Sequence, residues 1–199
     1  MTNPFHDPDT LAFYDREAVA YAGRREAVSR ALSDFLARVA PGGRILELGC
    51  GGGRDAEAML AAGFEVEATD GSPGLAAQAE RRIGRPVRVM LFEELEAQGA
   101  YDAVWANASL LHVPLGGLAA ILGRVRRALK PGGLFYAGYK AGDGDGRDAL
   151  GRFFNFPTEE ALRAAYEAAG PWGALEVRSG PGGGYDREPR LWLHVIATR

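Results

Sequence analysis

The sequence predicts a doubly wound α/β domain, in which helices cover both faces of a mostly parallel sheet. Strand-like apolar runs alternate with helical segments through most of the chain. A glycine turn, Gly49–Gly53, follows the short strand Ile45–Leu48 and precedes an alanine-rich helix, Arg54–Ala62. The last two strand-like runs, Leu175–Ser179 and Leu191–Ala197, follow each other without a helix. They therefore predict an antiparallel hairpin at one edge of the sheet.

The composition indicates one globular domain over residues 1–199. Hydrophobic residues make up 47% and charged residues 25% of the chain, and 199 residues can bury one substantial core. A net charge of −3 argues against a nucleic-acid-binding surface, and no apolar run approaches the length of a membrane span. Cys50 is the only cysteine, and the polar start of the chain is unlike a signal peptide. We therefore expect a cytoplasmic monomer or homodimer that acts on a small molecule.

Two helices are predicted before the first strand, at Thr10–Ala22 and Arg24–Val39. Apolar residues recur at helical spacing in the second, which predicts one buried face. A helix at this place in an α/β fold can lie across the mouth of the ligand site, so residues 1–40 are expected to cap that site. Tyr14 and Tyr21 either touch the ligand from this cap or only pack it against the domain.

The glycine turn lacks part of the pattern that binds a dinucleotide. That pattern requires a third glycine at a position where this chain has Arg54. Glu47, two residues before Gly49, would place a carboxylate beside the pyrophosphate. Asp70 ends the next strand-like run about 20 residues after the loop, where an acid can accept hydrogen bonds from ribose hydroxyls. The combination favours a nucleoside without phosphates that is joined to an amino-acid-like cation. S-adenosylmethionine (SAM) fits this description.

Several stretches narrow the prediction through resemblance to a known family. Motifs I and II of the class I SAM-dependent methyltransferases resemble the stretches E-L-G-C-G-G-G-R-D and A-T-D-G-S-P. A bacterial group of tellurite-resistance-related methyltransferases is similar at W-A-N-A-S-L-L-H-V-P, L-K-P-G-G and G-R-F-F-N-F. The resemblance runs from about Tyr14 to the C-terminus. It implies a Rossmann-like doubly wound sheet of seven strands, mostly parallel with an antiparallel last strand.

The residues that we expect to bind SAM lie on the glycine loop, at the ends of predicted strands or on the N-terminal cap. They are Glu47, Gly49, Cys50, Gly51, Arg54, Asp55, Asp70, Gly71, Ser72, Phe92, Glu93, Asn107, Ala108 and Tyr21. The resemblance implies that residues just after the third strand, Val87–Met90, flank the adenine. Phe92 would wall that ring and Glu93 would meet its exocyclic amine, although an aromatic residue here can also be plain core. The three histidines have no metal-ligand spacing, so no metal is expected.

The expected reaction requires few catalytic side chains. The methyl group of SAM is carried by a sulfonium and is already activated, so the protein mainly has to align the reacting atoms. An ionised acceptor then needs no dedicated base, in agreement with the lack of an obvious catalytic pair. His112 follows the fourth strand, Tyr101–Ala106, and is either structural or a substrate or acid–base residue. With Tyr14 and Arg152 it makes up the candidate catalytic residues.

The segment Ala141–Phe156 is predicted to be a lid over the methyl group. Its first half, Ala141–Leu150, is glycine-rich and is expected to be a flexible loop. Arg147 or Arg152 would then face an anionic or polar acceptor, because a guanidinium presents a planar fork of donors. The alternative is a surface loop whose arginines are solvated.

Two other functions stay open at this point. A nicotinamide-dependent oxidoreductase has the same fold class, but Arg54 and Glu47 disfavour it. A catalytically silent SAM-binding sensor or partner protein would have the same cofactor residues. Residues 1–40 and 141–156 offer material for a closed substrate chamber, which favours an enzyme. The sequence does not name the methyl acceptor.

Overall fold

Seven α-helices, two short 3₁₀ helices (Phe92–Glu94 and Leu110–His112) and nine strands lie in the part of the chain that the computed structural model describes, residues 5–24, 28–183 and 189–199. The helices are α1 (Pro8–Arg16), α2 (Ala18–Ala22), α3 (Arg30–Leu36), α4 (Arg54–Ala61), α5 (Pro73–Ile83), α6 (Leu115–Ala128) and α7 (Glu159–Ala168). The strands are β1 (Arg44–Leu48), β2 (Glu65–Asp70), β3 (Arg88–Val89), β4 (Tyr101–Asn107), β5 (Leu129–Lys140), β6 (Gly146–Arg147), β7 (Phe153–Phe154), β8 (Ala174–Gly182) and β9 (Arg190–Thr198).

Seven of the strands form one sheet in the order β3-β2-β1-β4-β5-β9-β8. Strands β1 to β5 are parallel, and β9 runs antiparallel to both β5 and β8. The predicted seven-stranded fold with a reversed last strand is therefore confirmed. The strand order changes direction between β1 and β4, and the carboxyl ends of these strands lie at one edge. Such a reversal opens a crevice for ligands in doubly wound sheets.

Each face of the sheet packs against its own helices, α6 and α7 on one face and α3 and α4 on the other. Alternate residues of β1 divide between the two faces, with Leu46 and Leu48 on the first and Ile45 on the second. All three are fully buried, as expected for a strand that is covered on both faces. On the second face, Trp105 stacks on Tyr136 with ring centroids 4.0 Å apart.

The N-terminal helices differ from the prediction. The helix expected over Thr10–Ala22 is divided into α1 and α2, because Glu17 leaves helical geometry with φ −92° and ψ 7°. The helix expected from Arg24 begins only after Ser29, whose hydroxyl accepts a backbone N–H and caps α3. Residues 25–27 lie outside the described part of the chain.

Three further segments also differ in detail. The third strand is shorter than expected, since only Arg88–Val89 pair with β2. The expected loop Ala141–Leu150 contains β6, which forms a small antiparallel hairpin with β7. The loop predicted over Gly180–Pro189 is shortened because β8 continues to Gly182, and residues 184–188 are not described. Among the described residues, none of the helices has both the length and the apolar character needed to cross a bilayer.

Candidate functional site

Two cavities lie at the carboxyl edge of the sheet, on either side of the glycine loop. The first has a volume of about 660 Å³, including its open mouth, and is lined by His6, Asp7, Thr10, Leu11, Tyr14, Tyr21, Gly49, Gly51, Asp70, Gly71, Leu75, Met90, Leu91, Phe92, Ala108, Ser109 and His112. The second has about 1180 Å³ and is lined by Tyr21, Ala22, Arg24, Glu47, Gly49, Cys50, Gly51, Gly52, Arg54, Asp55, Arg82, Asn107, Ala108, Pro181, Gly182, Gly183, Trp192 and His194. Four residues border both, so the cavities meet at the loop.

The glycine loop needs glycine for two separate reasons. Gly49 has φ 74°, a left-handed conformation that other residues adopt only with strain. A Cβ on Gly49 would also lie 2.5 Å from the Cβ of Ser109, which is far inside van der Waals contact. Gly51 has φ 57°, and its Cβ would meet the ring of Tyr21 at 3.0 Å. The loop can therefore lie directly between β4 and the N-terminal cap.

Asp70 braces the loop from the end of β2. Its carboxylate accepts hydrogen bonds from the backbone N–H groups of Gly51, at 2.8 Å, and Ser72, at 2.9 Å. Burial raises the pKa of Asp70 to about 6, although the two backbone hydrogen bonds act in the opposite direction. Because the side chain lines the first cavity, it presents a partly desolvated carboxylate to any ligand there.

Glu47 lies on the other side of the loop, at the end of β1. The residue is 3% exposed and lines the second cavity, and its Oε2 atom has no hydrogen-bond partner among the described residues. Burial, with the carboxylates of Asp55 and Asp70 nearby, raises the pKa of Glu47 well above its usual range. A cationic ligand group placed beside Glu47 would favour the ionised form and satisfy this oxygen.

Asp55 holds the floor of the second cavity in place. Its Oδ2 atom accepts hydrogen bonds from the indole N–H of Trp105, at 3.0 Å, and the amide of Asn107, at 3.4 Å. Its Oδ1 atom lies 3.3 Å from Nε of Arg54. Asp55 thus links the first turn of α4 to the end of β4, so its main contacts are structural.

The expected cofactor residues are brought together, with two exceptions. All except Ser72 and Glu93 line one of the two cavities or both. Ser72 caps α5 and donates its hydroxyl to Asp15 at 3.0 Å. Glu93 forms a 2.6 Å contact with the imidazole of His6, which holds the start of the described chain over the first cavity.

Tyr14 and His112 form a hydrogen-bonded pair at the rim of the first cavity. Nδ1 of His112 lies 2.6 Å from the carbonyl oxygen of Phe153 and must carry the proton, because a carbonyl only accepts. Nε2 therefore accepts from the hydroxyl of Tyr14 at 2.9 Å. Burial lowers the pKa of His112 to about 4, so the ring is neutral at pH 7. Both ring nitrogens are engaged in hydrogen bonds, which favours the structural alternative for His112.

Arg152 is buried under α1 and is absent from the lining of both cavities. It donates to Asp148 through Nε, at 3.0 Å, and Nη2, at 2.6 Å, and to the hydroxyl of Tyr14 at 2.9 Å. The guanidinium also lies over the rings of Phe13, Tyr14 and Phe154, with centroids 5.2–5.6 Å from its carbon. The Asp148 carboxylate and the aromatic rings thus hold the guanidinium away from both cavities.

Arg147 is also directed toward the N-terminal cap. Its Nη2 atom lies 2.7 Å from the Asp7 carboxylate, so this exposed pair ties β6 to the start of α1. Arg147 lines neither cavity. Residues 141–156 are thus joined to α1 by two arginines.

Comparisons with known proteins agree with this geometry. A family model described as a methyltransferase domain matches residues 21–171, about three quarters of the chain. The chain belongs to this methyltransferase-domain family. The expected methyltransferase class is thereby confirmed.

Individual relatives of the methyltransferase domain match over parts of their length. A ubiquinone biosynthesis O-methyltransferase of Xanthomonas campestris is 41% identical over 113 residues, which cover 53% of this chain and 46% of that protein. A Burkholderia thailandensis 1,6-didemethyltoxoflavin-N1-methyltransferase, solved with its substrate and S-adenosylhomocysteine, is 24% identical with a TM-score of 0.73, over 100% of this chain and 93% of that one. TehB from Haemophilus influenzae has a TM-score of 0.71 and 18% identity, over 94% and 66% of the two chains. The chain thus spans about half of the curated relative, and the two structures support the fold.

Sequence reasoning missed two groups of residues in the methyltransferase domain. The start of α1 and the residues before it line the first cavity, although only Tyr14 and Tyr21 were singled out from this cap. Trp192 and His194 of β9 line the second cavity. Their spacing of two places both rings on one face of a strand, which is the signal that could have indicated them. The described residues contain no group of three or more His, Cys, Asp or Glu that could hold a metal.

Proposed function

We propose that this protein binds SAM and transfers its methyl group to a small-molecule acceptor. The observation that carries the proposal is the pair of buried carboxylates, Glu47 and Asp70, on opposite sides of a glycine loop between two joined cavities. A pyrophosphate would be repelled by both. A nucleoside that carries a cationic amino-acid end matches both.

The first cavity would hold the adenosine half of the cofactor. Asp70 stands at the end of β2, where its carboxylate would accept from the ribose hydroxyls, and Gly71 leaves room beside it. Phe92 would wall the adenine. The methionine end would pass over Gly49 and Gly51 into the second cavity, where Glu47 would offset its positive charge and Arg54 would meet its carboxylate.

When bound, SAM supplies a methyl group that is already activated by its attachment to a positively charged sulfur. The residues of this chain would contribute alignment, which in favourable cases supplies about 7–11 kcal/mol of the barrier. The cap formed by α1 and α2 would exclude water, with Tyr21 packed directly against Gly51. We also propose that residues 141–156 belong to this cover, since Arg147 and Arg152 join them to α1.

We propose oxygen as the first acceptor atom to test. The support is the O-methyltransferase relative from Xanthomonas campestris, which matches half of this chain. We also propose that the chain belongs to the tellurite-resistance-related group of methyltransferases. The support is the set of sequence stretches that resemble this group. The fold shared with TehB is compatible with this placement.

The cellular location and the assembly of the protein are also proposals. A single cysteine, Cys50, is compatible with a reducing compartment such as the cytoplasm. We propose that the chain works as a monomer or homodimer, without nucleic acid or membrane, and that residues 1–199 act as one domain. Size-exclusion chromatography with light scattering measures the assembly.

The experiment that tests the function measures both binding and turnover. The protein is incubated with SAM and a panel of phenols, small thiols and chalcogen oxyanions, and release of S-adenosylhomocysteine is measured. Turnover of any acceptor supports the enzyme. Tight SAM binding without turnover of any acceptor supports a silent SAM-binding protein, and preferential binding of NAD supports an oxidoreductase.

A further inference from the structure

Two aromatic rings of β9 line the second cavity, and a buried ring of β5 extends them into a row. Trp192 and His194 project from the same face of β9, with ring centroids 6.4 Å apart and planes 16° apart. Tyr136 of β5 continues the row, at 6.1 Å and 27° from His194. Strands β4 and β5 lie between β1 and β9 in the sheet, so the rings of β9 and the glycine loop line the same cavity from two separated strands.

The aromatic rings of β9 carry polar atoms, and one of these atoms has no hydrogen-bond partner among the described residues. The hydroxyl of Tyr136 lies 2.7 Å from Nδ1 of His194, and the tautomer of the imidazole decides which of the two atoms donates. Burial lowers the pKa of His194, which keeps the ring neutral at pH 7. The residue Trp192 is 7% exposed, and its indole N–H has no hydrogen-bond acceptor among the described residues. Buried donors are usually paired, so an unpaired indole N–H in a cavity wall points to a ligand acceptor.

Gly182 allows the indole of Trp192 to occupy this position. A Cβ at Gly182 would lie 2.4 Å from Cδ1 and 2.7 Å from Nε1 of Trp192, so no other residue fits without moving the ring. The backbone of β8 thus supports the pyrrole edge of the indole. This contact is local to the cavity, because Gly182 and Trp192 both line it.

The charges around the second cavity indicate what this wall would bind. Arg24, Arg54 and Arg82 line it together with the carboxyl groups of Glu47 and Asp55. Burial and the neighbouring carboxylates make Glu47 easier to neutralise. Arg54 is paired with Asp55 at 3.3 Å and Arg82 with Glu57 at 3.7 Å, so the cavity presents groups of both charges. A guanidinium among them offers a planar fork of donors to an oxygen-rich anion.

We propose that the Trp192–His194 wall is the subsite for the methyl acceptor, and that the acceptor is a planar ring with phenol or carboxylate oxygens. The inference rests on the proposed SAM-dependent function. The ring lies against the aromatic wall, and one of its oxygens accepts from the indole N–H of Trp192. The methionine end of SAM would occupy the glycine-loop side of the same cavity. The acceptor enters as a phenolate or carboxylate, so a C–O bond would form as the S–CH3 bond breaks and S-adenosylhomocysteine leaves, with no proton to transfer.

The test uses ¹⁵N-labelled protein saturated with S-adenosylhomocysteine and titrated with 3,4-dihydroxybenzoate, a planar probe that carries both kinds of oxygen. The chain has three tryptophans, so the spectrum shows three indole N–H signals, and Trp192→Phe assigns one of them. The signal of Trp192 is expected to move, while that of Trp172, which donates to the carbonyl of Tyr166 and does not line the cavity, stays in place.

Variants then measure the contribution of the wall to binding. Trp192→Phe and Gly182→Ala are each expected to weaken binding of the probe at least tenfold, with the dissociation constant of S-adenosylhomocysteine changed less than twofold. Trp172→Phe is the matched control and should leave both constants unchanged. Gly182→Ala keeps the indole N–H but displaces it, so it separates loss of position from loss of the group.

The opposing results are distinct. The acceptor subsite is overturned if the probe does not bind, or if it binds without moving the Trp192 signal. It is also overturned if S-adenosylhomocysteine alone shifts that signal and the probe adds no further shift. Failure of S-adenosylhomocysteine itself to bind overturns the proposed function on which the subsite rests. A well-dispersed spectrum of each variant shows that it is folded.

Discussion

The hydroxyl of Tyr14 donates a hydrogen bond to Nε2 of His112 across 98 residues of chain. This bond joins α1 to the turn that follows β4, and the carbonyl of Phe153 on the other side of the imidazole joins the same turn to β7. The cap, the end of β4 and the 141–156 segment are therefore connected through one neutral histidine. The pair organises the cover of the first cavity, which explains why two residues expected to be catalytic bond to each other.

Removing the Tyr14 hydroxyl tests this organising role. Tyr14→Phe leaves Nε2 of His112 and one N–H of Arg152 without their partner, which is expected to lower the free energy of unfolding by about 1–3 kcal/mol. Urea unfolding followed by circular dichroism measures the change. A free energy of unfolding equal to that of the parent protein would show that the bond does not hold the cap.

Arg152 is expected to matter more for stability than for chemistry. Arg152→Ala leaves the Asp148 carboxylate buried without its cation, and loss of one partner of a buried pair costs about 3–5 kcal/mol. Arg163→Ala is the matched control, because Arg163 and Glu159 form an exposed pair with the same spacing, worth less than about 1 kcal/mol. Thermal unfolding compares the two variants. Equal effects of the two substitutions would contradict the structural role of Arg152.

The position of Gly49 and Gly51 in the lining of the two cavities was predictable from the sequence. The reason is that the strand, the glycine turn and the helix follow one another directly along the chain. The reversed last strand was predictable for a similar reason, since no helix separates the two final strand-like runs. Asp70 was found because its distance along the chain from the loop places it at the end of β2. In each case a short stretch of sequence carries the whole argument.

The contact of Arg152 with Tyr14 was not predictable from a local stretch of sequence. The position of the aromatic rings of β9 was not predictable in this way either. Arg152 contacts Tyr14 across 138 residues, and nothing in either segment alone identifies the other. The lining role of Trp192 depends on β9 inserting between β5 and β8, which fixes the face on which its ring lies. Contacts between distant parts of the chain decide both positions. Without knowledge of these contacts, the sequence prediction assigned the acceptor to Arg147 and Arg152 instead of the rings of β9.

Glycine at position 49 is expected to be essential for binding as well as for folding. Gly49→Ala places a Cβ against Ser109 and adds left-handed strain of about 1–2 kcal/mol. Gly42→Ala is the matched control, because Gly42 has φ 73° but nothing within 4 Å of an added Cβ. Both variants should lose some stability, whereas only Gly49→Ala should lose affinity for S-adenosylhomocysteine. Equal affinities in calorimetry would mean that the close approach at the loop is unimportant.

The pH dependence of cofactor binding should follow Asp70. Burial raises the folded pKa of Asp70 from 3.8 to about 6, so the folded state holds this proton more tightly than the unfolded chain. The resulting stabilisation is fully present below 3.8 and is lost as the pH rises through about 6. Ribose hydroxyls donate to the ionised carboxylate, so affinity for S-adenosylhomocysteine should rise as the pH increases through about 6 and then level off.

Asp70→Asn serves as the control for this pH profile, since an amide of the same shape has no carboxyl proton to lose. Its affinity for S-adenosylhomocysteine should be lower and nearly independent of pH over this range. Titration of His112 does not interfere, because burial lowers its pKa to about 4. A parental slope retained in Asp70→Asn would assign the pH dependence to another group, with Glu47 the first to examine.

The most direct test of the account is a calorimetric titration of the parent protein and Asp70→Ala with S-adenosylhomocysteine and, separately, with NAD. We predict that S-adenosylhomocysteine binds the parent protein far more tightly than NAD does. Loss of a charged hydrogen-bond partner costs about 1.5–3 kcal/mol, so Asp70→Ala should weaken that binding about 10- to 100-fold in a folded protein. Tighter binding of NAD than of S-adenosylhomocysteine, or an unchanged dissociation constant in the folded variant, would contradict the assignment of the site.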